Sequence, residues 1–170
     1  MSLARSVTAV VTVALVALQL LVGSNVRLLG VVAMLIWLWP VAIGLTGLTS
    51  LAVAAGAVAG FLWDAYASTP LGLGAAVGAL LGYGASRLGR EGVGDLDSAA
   101  WWMTPLLGAV AGLVAPLLFV VLGSVMLDFA LWHGSVVDAM IVNAAVFALL
   151  ARPVTRLARW TCASALRGRR

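Results

Sequence analysis

The sequence predicts an all-α, polytopic membrane protein of about six transmembrane helices, N-in and C-in, each segment near the ~20 residues that span a bilayer. Three observations lead there. Of the 170 residues, 64% are hydrophobic and 9% charged, whereas about a quarter of a soluble domain is charged. Runs such as residues 8–22 are apolar on every face, which suits helices in lipid and not the alternating strands of a membrane barrel. The arginines also cluster so that one orientation collects nearly all of them on a single side.

The composition narrows the function classes as well. The formal charge of +4 comes from arginine alone, for there is no lysine. In a soluble protein such a balance would raise nucleic acid as a partner. Here the arginines sit at segment ends and in the C-terminal tail, so the lipid bilayer is the expected partner and nucleic acid is not. Cys162 is the single cysteine, which excludes an intramolecular disulfide and a thiolate metal cluster.

Arg5 leads into the first expected helix, residues 7–22. A signal peptide, with Arg5 as its n-region and Gly23-Ser24 near a cleavage site, competes with this reading. The apolar run is long for an h-region, so an uncleaved first helix is expected. Gly23-Ser24-Asn25 marks a turn before the second helix, residues 26–44. Trp37 and Trp39 bracket Leu38 near its end and read as an interfacial aromatic belt. Pro40 follows them within the helix, where neighbouring segments can re-satisfy the freed carbonyl.

Thr46, Gly47, Thr49 and Ser50 form a tight uncharged connection to the third helix, residues 48–63, which ends at Trp63-Asp64. Pro70 opens the fourth, residues 70–88, at a first-turn position where its missing donor costs little. The only long polar stretch inside the chain, residues 87–98, reads as a solvated loop with Asp97 or Ser98 capping the next helix. Trp101 and Trp102 mark re-entry into the fifth helix, residues 100–123, which contains Pro105 and Pro116. A mixed connection with Asp128, Trp132 and His133 leads to the sixth helix, residues 136–151, expected to stop at Arg152-Pro153. The chain thus divides into a six-helix domain, residues 1–151, and a basic cytoplasmic tail, residues 152–170. In the tail Arg152, Arg156 and Arg159 share one helical face, with Val154, Leu157 and Thr161 on another. That suits a helix lying on an anionic membrane surface, with a frayed tail as the competing expectation. Gly-Ala-Val-Ala-Gly occurs at 56–60 and at 108–112, but the sequences diverge at once and no repeat is inferred.

With an even number of helices, both termini lie on one side. Placing them in the cytoplasm puts Arg5, Arg87, Arg90, Arg152, Arg156, Arg159, Arg167, Arg169 and Arg170 inside and only Arg27 outside, as the positive-inside rule requires. Asp64, Asp128, His133 and Asp138 then lie at or near the outer face.

Asp64 is the first candidate site, because a carboxylate at membrane depth is costly and functional by default. Against that stands a structural role, organising the turn before Pro70, which the polar joint favours. His133 with Asp128 and Asp138 has no ligand-like spacing, so no metal is expected; Asp138 suits the first turn of its helix. Asn143 is expected to hydrogen-bond across helices. Gly56, Gly74, Gly78, Gly82, Gly108 and Gly112, with Gly60, form rows that permit close helix packing, internal or with a partner. Ser and Thr are dispersed and the lone histidine lacks a nucleophile and an orienting acid, so no catalytic residue and no enzyme is expected.

Pro40, then Gly60-Phe61-Leu62-Trp63-Asp64, then Thr69-Pro70-Leu71-Gly72 resemble the rod shape-determining protein MreD family, and Asn143 before the basic terminus resembles that family's final helix. The sharp part covers residues 40–84, and Trp63-Asp64 follows Phe61-Leu62 with a shorter spacing than the family pattern. The resemblance implies a non-catalytic scaffold of the bacterial elongasome in the cytoplasmic (inner) membrane, helping to position peptidoglycan synthesis. It implies a six-helix fold similar to the substrate-binding components of energy-coupling-factor vitamin transporters, and no cofactor. The implied partner is an MreC-like single-span protein and, through it, MreB, RodA and a class B penicillin-binding protein. Pro40, Gly60, Phe61, Asp64, Pro70, Gly72 and Asn143 carry over as structural or partner-contact residues. The alternative function is the substrate-binding component of a small-solute transporter, which needs polar groups converging on a cavity.

Overall fold

In lipid a backbone must satisfy its polar groups within its own segment, and the described residues are helical almost throughout. The computed structural model describes residues 2–23, 32–67, 69–91, 101–127 and 135–167, and among them there is no strand. The elements are α1 (Ser2–Gly23), a 3₁₀ turn (Leu35–Trp37) running into α2 (Leu38–Leu45), α3 (Thr49–Ala67), α4 (Leu73–Glu91), α5 (Met103–Leu127) and α6 (Val136–Arg167). Three helical stretches, Thr49–Ala67, Met103–Val125 and Val136–Cys162, are long and apolar enough to cross a membrane. By length and composition they make this a membrane protein.

α3 and α4 form one tightly packed antiparallel hairpin, α5 and α6 a second, and α2 lies between them, touching both. α2 is apolar all round, which marks a helix buried on every side. One face, Trp37, Val41 and Leu45, packs on Val77, Leu81 and Ala85 of α4, Ala115 and Phe119 of α5, and Phe147 of α6. The Trp37 and Phe119 rings lie 5.7 Å apart. The other face, Trp39, Ala42 and Ile43, belongs to a second core with Leu48, Ala52, Ala55, Ala158 and Cys162. α1 lies against α3 and α6 on the outside of this arrangement.

The antiparallel pairing brings the described arginines to one end. Arg90, in the last turn of α4, donates from Nε to the Gly47 carbonyl before α3 (3.0 Å). Arg152 of α6 donates to the Trp101 carbonyl before α5 and lies over its ring, 5.4 Å from the centroid. Asp64 and Asp138 lie at the opposite end, where α3 finishes and α6 starts.

Three expectations are corrected. The second helix does not run unbroken over 26–44: residues 26–31 lie outside the described part, 32–34 are not helical, and the helix covers Leu35–Leu45. At 1.5 Å per residue it is about 16 Å long, roughly half the hydrocarbon thickness. Trp37 and Trp39 are not an interfacial belt, being 0% and 1% exposed, and Pro40 stands in the first turn of α2 instead of near its end. The sixth helix does not stop at residue 151. α6 passes through Pro153 to Arg167, because its inner residues Ala151, Ala158 and Cys162 are buried against the bundle and that packing outweighs one lost backbone bond. The expected boundary at 152 is therefore not a helix end.

Candidate functional site

The joint between α3 and α4 holds Asp64, one turn before α3 ends. Its carboxylate is 1% exposed. It accepts hydrogen bonds from the Thr69 hydroxyl (2.8 Å) and from the backbone N–H groups of Gly72 (2.9 Å), Gly74 (2.9 Å to each oxygen) and Ala75 (3.4 Å). The first N–H groups of a helix have no partner within it, and its N-terminus carries partial positive charge. Asp64 therefore caps α4 from the neighbouring helix, with charge-assisted bonds about twice as strong as neutral ones. Both oxygens of the acid face helix donors.

The local sequence fits this cap residue by residue. Gly72 has φ of +102°, a conformation that L side chains rarely adopt. A β-carbon on Gly74 would sit 2.5 Å from Asp64 Oδ1, so glycine alone lets the carboxylate reach its N–H. Pro70 lies in the turn before α4, and its carbonyl accepts from Leu73 N–H (3.2 Å). Behind the joint, β-carbons on Gly60 and Gly56 would overlap the carbonyls of Gly74 and Gly78, and one on Gly82 would lie 2.6 Å from the Ala52 carbonyl. Gly108 and Gly112 meet the backbone at Phe147 and Asn143 of α6 in the same way. These rows bring α3 onto α4 and α5 onto α6, and the packed neighbour closes them to a partner's helix. Phe61, Tyr66 and Leu71 around the joint are exposed.

The second polar centre is the break at residues 32–34. Asn143 is fully buried; its Oδ1 accepts from Met34 N–H (2.7 Å) and its Nδ2 donates to the Ala139 carbonyl (2.8 Å). Gln19 of α1, which sequence reasoning passed over, donates to the Ala33 carbonyl (2.7 Å) and accepts from Leu35 N–H (2.8 Å). Two amides from α1 and α6 thus supply the partners that a continuous helix would supply itself. The signal for Gln19 was the one already used for Asn143, a lone amide in an apolar run. One turn on, Trp39 Nε1 donates to Thr12 of α1 (3.1 Å), while the buried Trp37 Nε1 has no hydrogen-bond partner among the described residues.

Asn143→Leu would leave the Met34 N–H unpaired in the core, at about 1–3 kcal/mol for an orphaned buried donor. The unfolding midpoint in mild detergent should fall accordingly, and Gln19→Leu should fall at least as far because it strands two backbone groups. Unchanged midpoints for both would mean that these amides do not hold the break.

Asp138 stands in the first turn of α6, with its N–H on the Ser135 hydroxyl (3.2 Å). Asp128 and His133, together with Arg27, Asp97 and Ser98, lie outside the described residues. Among those described, no group of His, Cys, Asp and Glu is placed to hold a metal. Asp64 and Asn143 belong to separate centres, the first at the α3–α4 joint and the second against the start of the broken helix. Comparison with family models, curated proteins and solved structures found no match.

Proposed function

We propose that this chain is a non-catalytic scaffold of the bacterial cell-elongation machinery, crossing the cytoplasmic membrane six times, the second time through the non-helical stretch at 32–34 and the short α2, with both termini inside. In this reading it holds an MreC-like single-span protein and so helps to position peptidoglycan synthesis, with MreB, RodA and a class B penicillin-binding protein reached indirectly. The observation that carries it is the capped hairpin. Gly60, Asp64 and Gly72, residues on which the resemblance to the MreD family rests, each perform a definite architectural task there, and that supports the reading. The concentration of arginines at one end supports the orientation. Since the glycine faces are closed, the partner contact is assigned to the exposed apolar side chains around the joint, Phe61, Tyr66 and Leu71.

Co-purification in mild detergent tests it. An MreC-like partner should be retained, and Phe61→Ala with Leu71→Ala should lower the retained fraction several-fold while the helical signal stays unchanged. No retention by the unsubstituted protein would remove the reading. One observation favours a second function. A short helix entered through non-helical backbone within an apolar bundle is a form that solute sites in transporters use, and α2, entered through residues 32–34, has it, with the buried Trp37 Nε1 beside it unpartnered among the described residues. Saturable binding of a vitamin-type solute to the purified protein would reverse the ranking.

A further inference from the structure

We infer that the basic end of α5 and α6 carries a binding surface for the headgroups of anionic phospholipids, formed by Trp101, Arg152, Arg156 and Trp160. The inference needs only the membrane reading of the chain, and does not depend on the elongation role.

The level of these residues in the bilayer follows from packing. Gly108 of α5 lies beside Ala151 of α6, and the two helices run antiparallel. α5 begins at Met103, about 7 Å beyond that contact at 1.5 Å per residue. The same distance along α6 reaches Arg156, so Arg156 is level with the start of α5, and Trp160 is one turn further out. Leu149, about one turn before Arg152, is exposed and belongs to the lipid-facing surface. The outer stripe of α6 therefore passes from aliphatic to arginine to indole over three turns, across the boundary between hydrocarbon and headgroups.

The inner stripe of the same turns is occupied. Ala151, Thr155, Ala158 and Cys162 are buried, the last two in the second core, so α6 cannot roll to lay its other face on the membrane. The outer side of these turns carries the exposed Arg156 and Trp160, the latter 77% exposed, and Trp101, before α5, is 76% exposed. Arg152 is held in place by the Trp101 carbonyl and ring, which fixes the position of its charge while its fork keeps further donors. Asp138, at the far end, is the only acidic residue of α6. The sign suits a phosphodiester at the level of these arginines, and the two indoles at the same end favour the interface. A zwitterionic headgroup would add its own ammonium to this positive field.

The test is lipid retention by the full-length protein, extracted from membranes containing equal amounts of phosphatidylglycerol and phosphatidylcholine and measured by native mass spectrometry. The unsubstituted protein should retain phosphatidylglycerol preferentially. Arg156→Gln should lower that preference roughly fivefold, the ratio corresponding to the ~1 kcal/mol that a basic residue contributes at an anionic surface. Trp160→Ala should lower it as well. Arg87→Gln, which removes the same charge from the end of α4, should change it less than about twofold if the effect is local. Arg156 and Trp160 are exposed, so helical content should be the same in every variant. Equal retention of both lipids, or an Arg87→Gln effect as large as that of Arg156→Gln, would overturn the site in favour of diffuse net charge.

Discussion

Asp64→Ala is expected to destabilise the protein by about 3–5 kcal/mol, the largest effect of any side-chain truncation considered for this chain. The substitution strands the N–H groups of Gly72 and Gly74, each at about 1–3 kcal/mol where water does not reach it, more than the ~1 kcal/mol typical of an exposed N-cap. Part of that cost is recovered if the first turn of α4 frays. Asp64→Asn keeps one acceptor oxygen and the same shape but gives up the charge, so about half of the loss should return. The measurements are the unfolding midpoint in mild detergent and the rate of proteolysis within the joint. Equal midpoints for Asp64→Ala and the unsubstituted protein would mean that the carboxylate does not hold α4. Equal losses for Ala and Asn would assign the effect to charge alone.

Gly78→Leu should be nearly as damaging, through a different term. A β-carbon at this position already overlaps the Gly56 carbonyl, and neither backbone can turn aside as a side chain would. The two helices must separate along their whole seam, so the cost should reach or exceed the ~3 kcal/mol upper range for overpacked cores. Gly84, on the same helix, supplies the control. Nothing lies within 4 Å of a β-carbon built there, so Gly84→Ala should raise stability by up to about 1 kcal/mol through helix propensity. Opposite signs for two glycines six residues apart would separate packing from propensity; a loss at both would mean that propensity arguments fail in this helix.

Much of this architecture was legible in the residues. α3, α4 and α5 lie close to their expected positions because each is a long apolar run bounded by a turn residue or a charge. The Asp64–Pro70 joint was legible as a turn for a similar reason, since an acid followed by Ser-Thr-Pro has few other uses between two apolar helices. Its burial was not. Asp64 was expected at the outer surface, and only the fold shows that Gly72 and Gly74 bring backbone donors to it at hydrogen-bond distance. The break at residues 32–34 left no local mark at all. Nothing in Val-Val-Ala-Met-Leu opposes a helix strongly, and the groups that stabilise the break come from Gln19 and from Asn143, 109 positions away from Met34. Pro153 misled in the opposite direction: it reads as a stop, yet the buried face beyond it is what decides that α6 continues.

The hairpin of α3 and α4 also sets the mechanics of the molecule. Its seam is pinned at one end by Asp64, at the other by Arg90 on the Gly47 carbonyl, and between them by backbone-to-backbone contact at Gly60, Gly56 and Gly82. Sliding or twisting either helix would break several of these at once, so the pair behaves as a stator. The packing is looser at the groove of about 400 Å³ between α1 and α3 and at the smaller one of about 140 Å³ between α4 and α5. Under the proposed scaffold reading, a partner seated at the joint would press on this rigid pair, and the response would fall on α1 or on the α5–α6 pair.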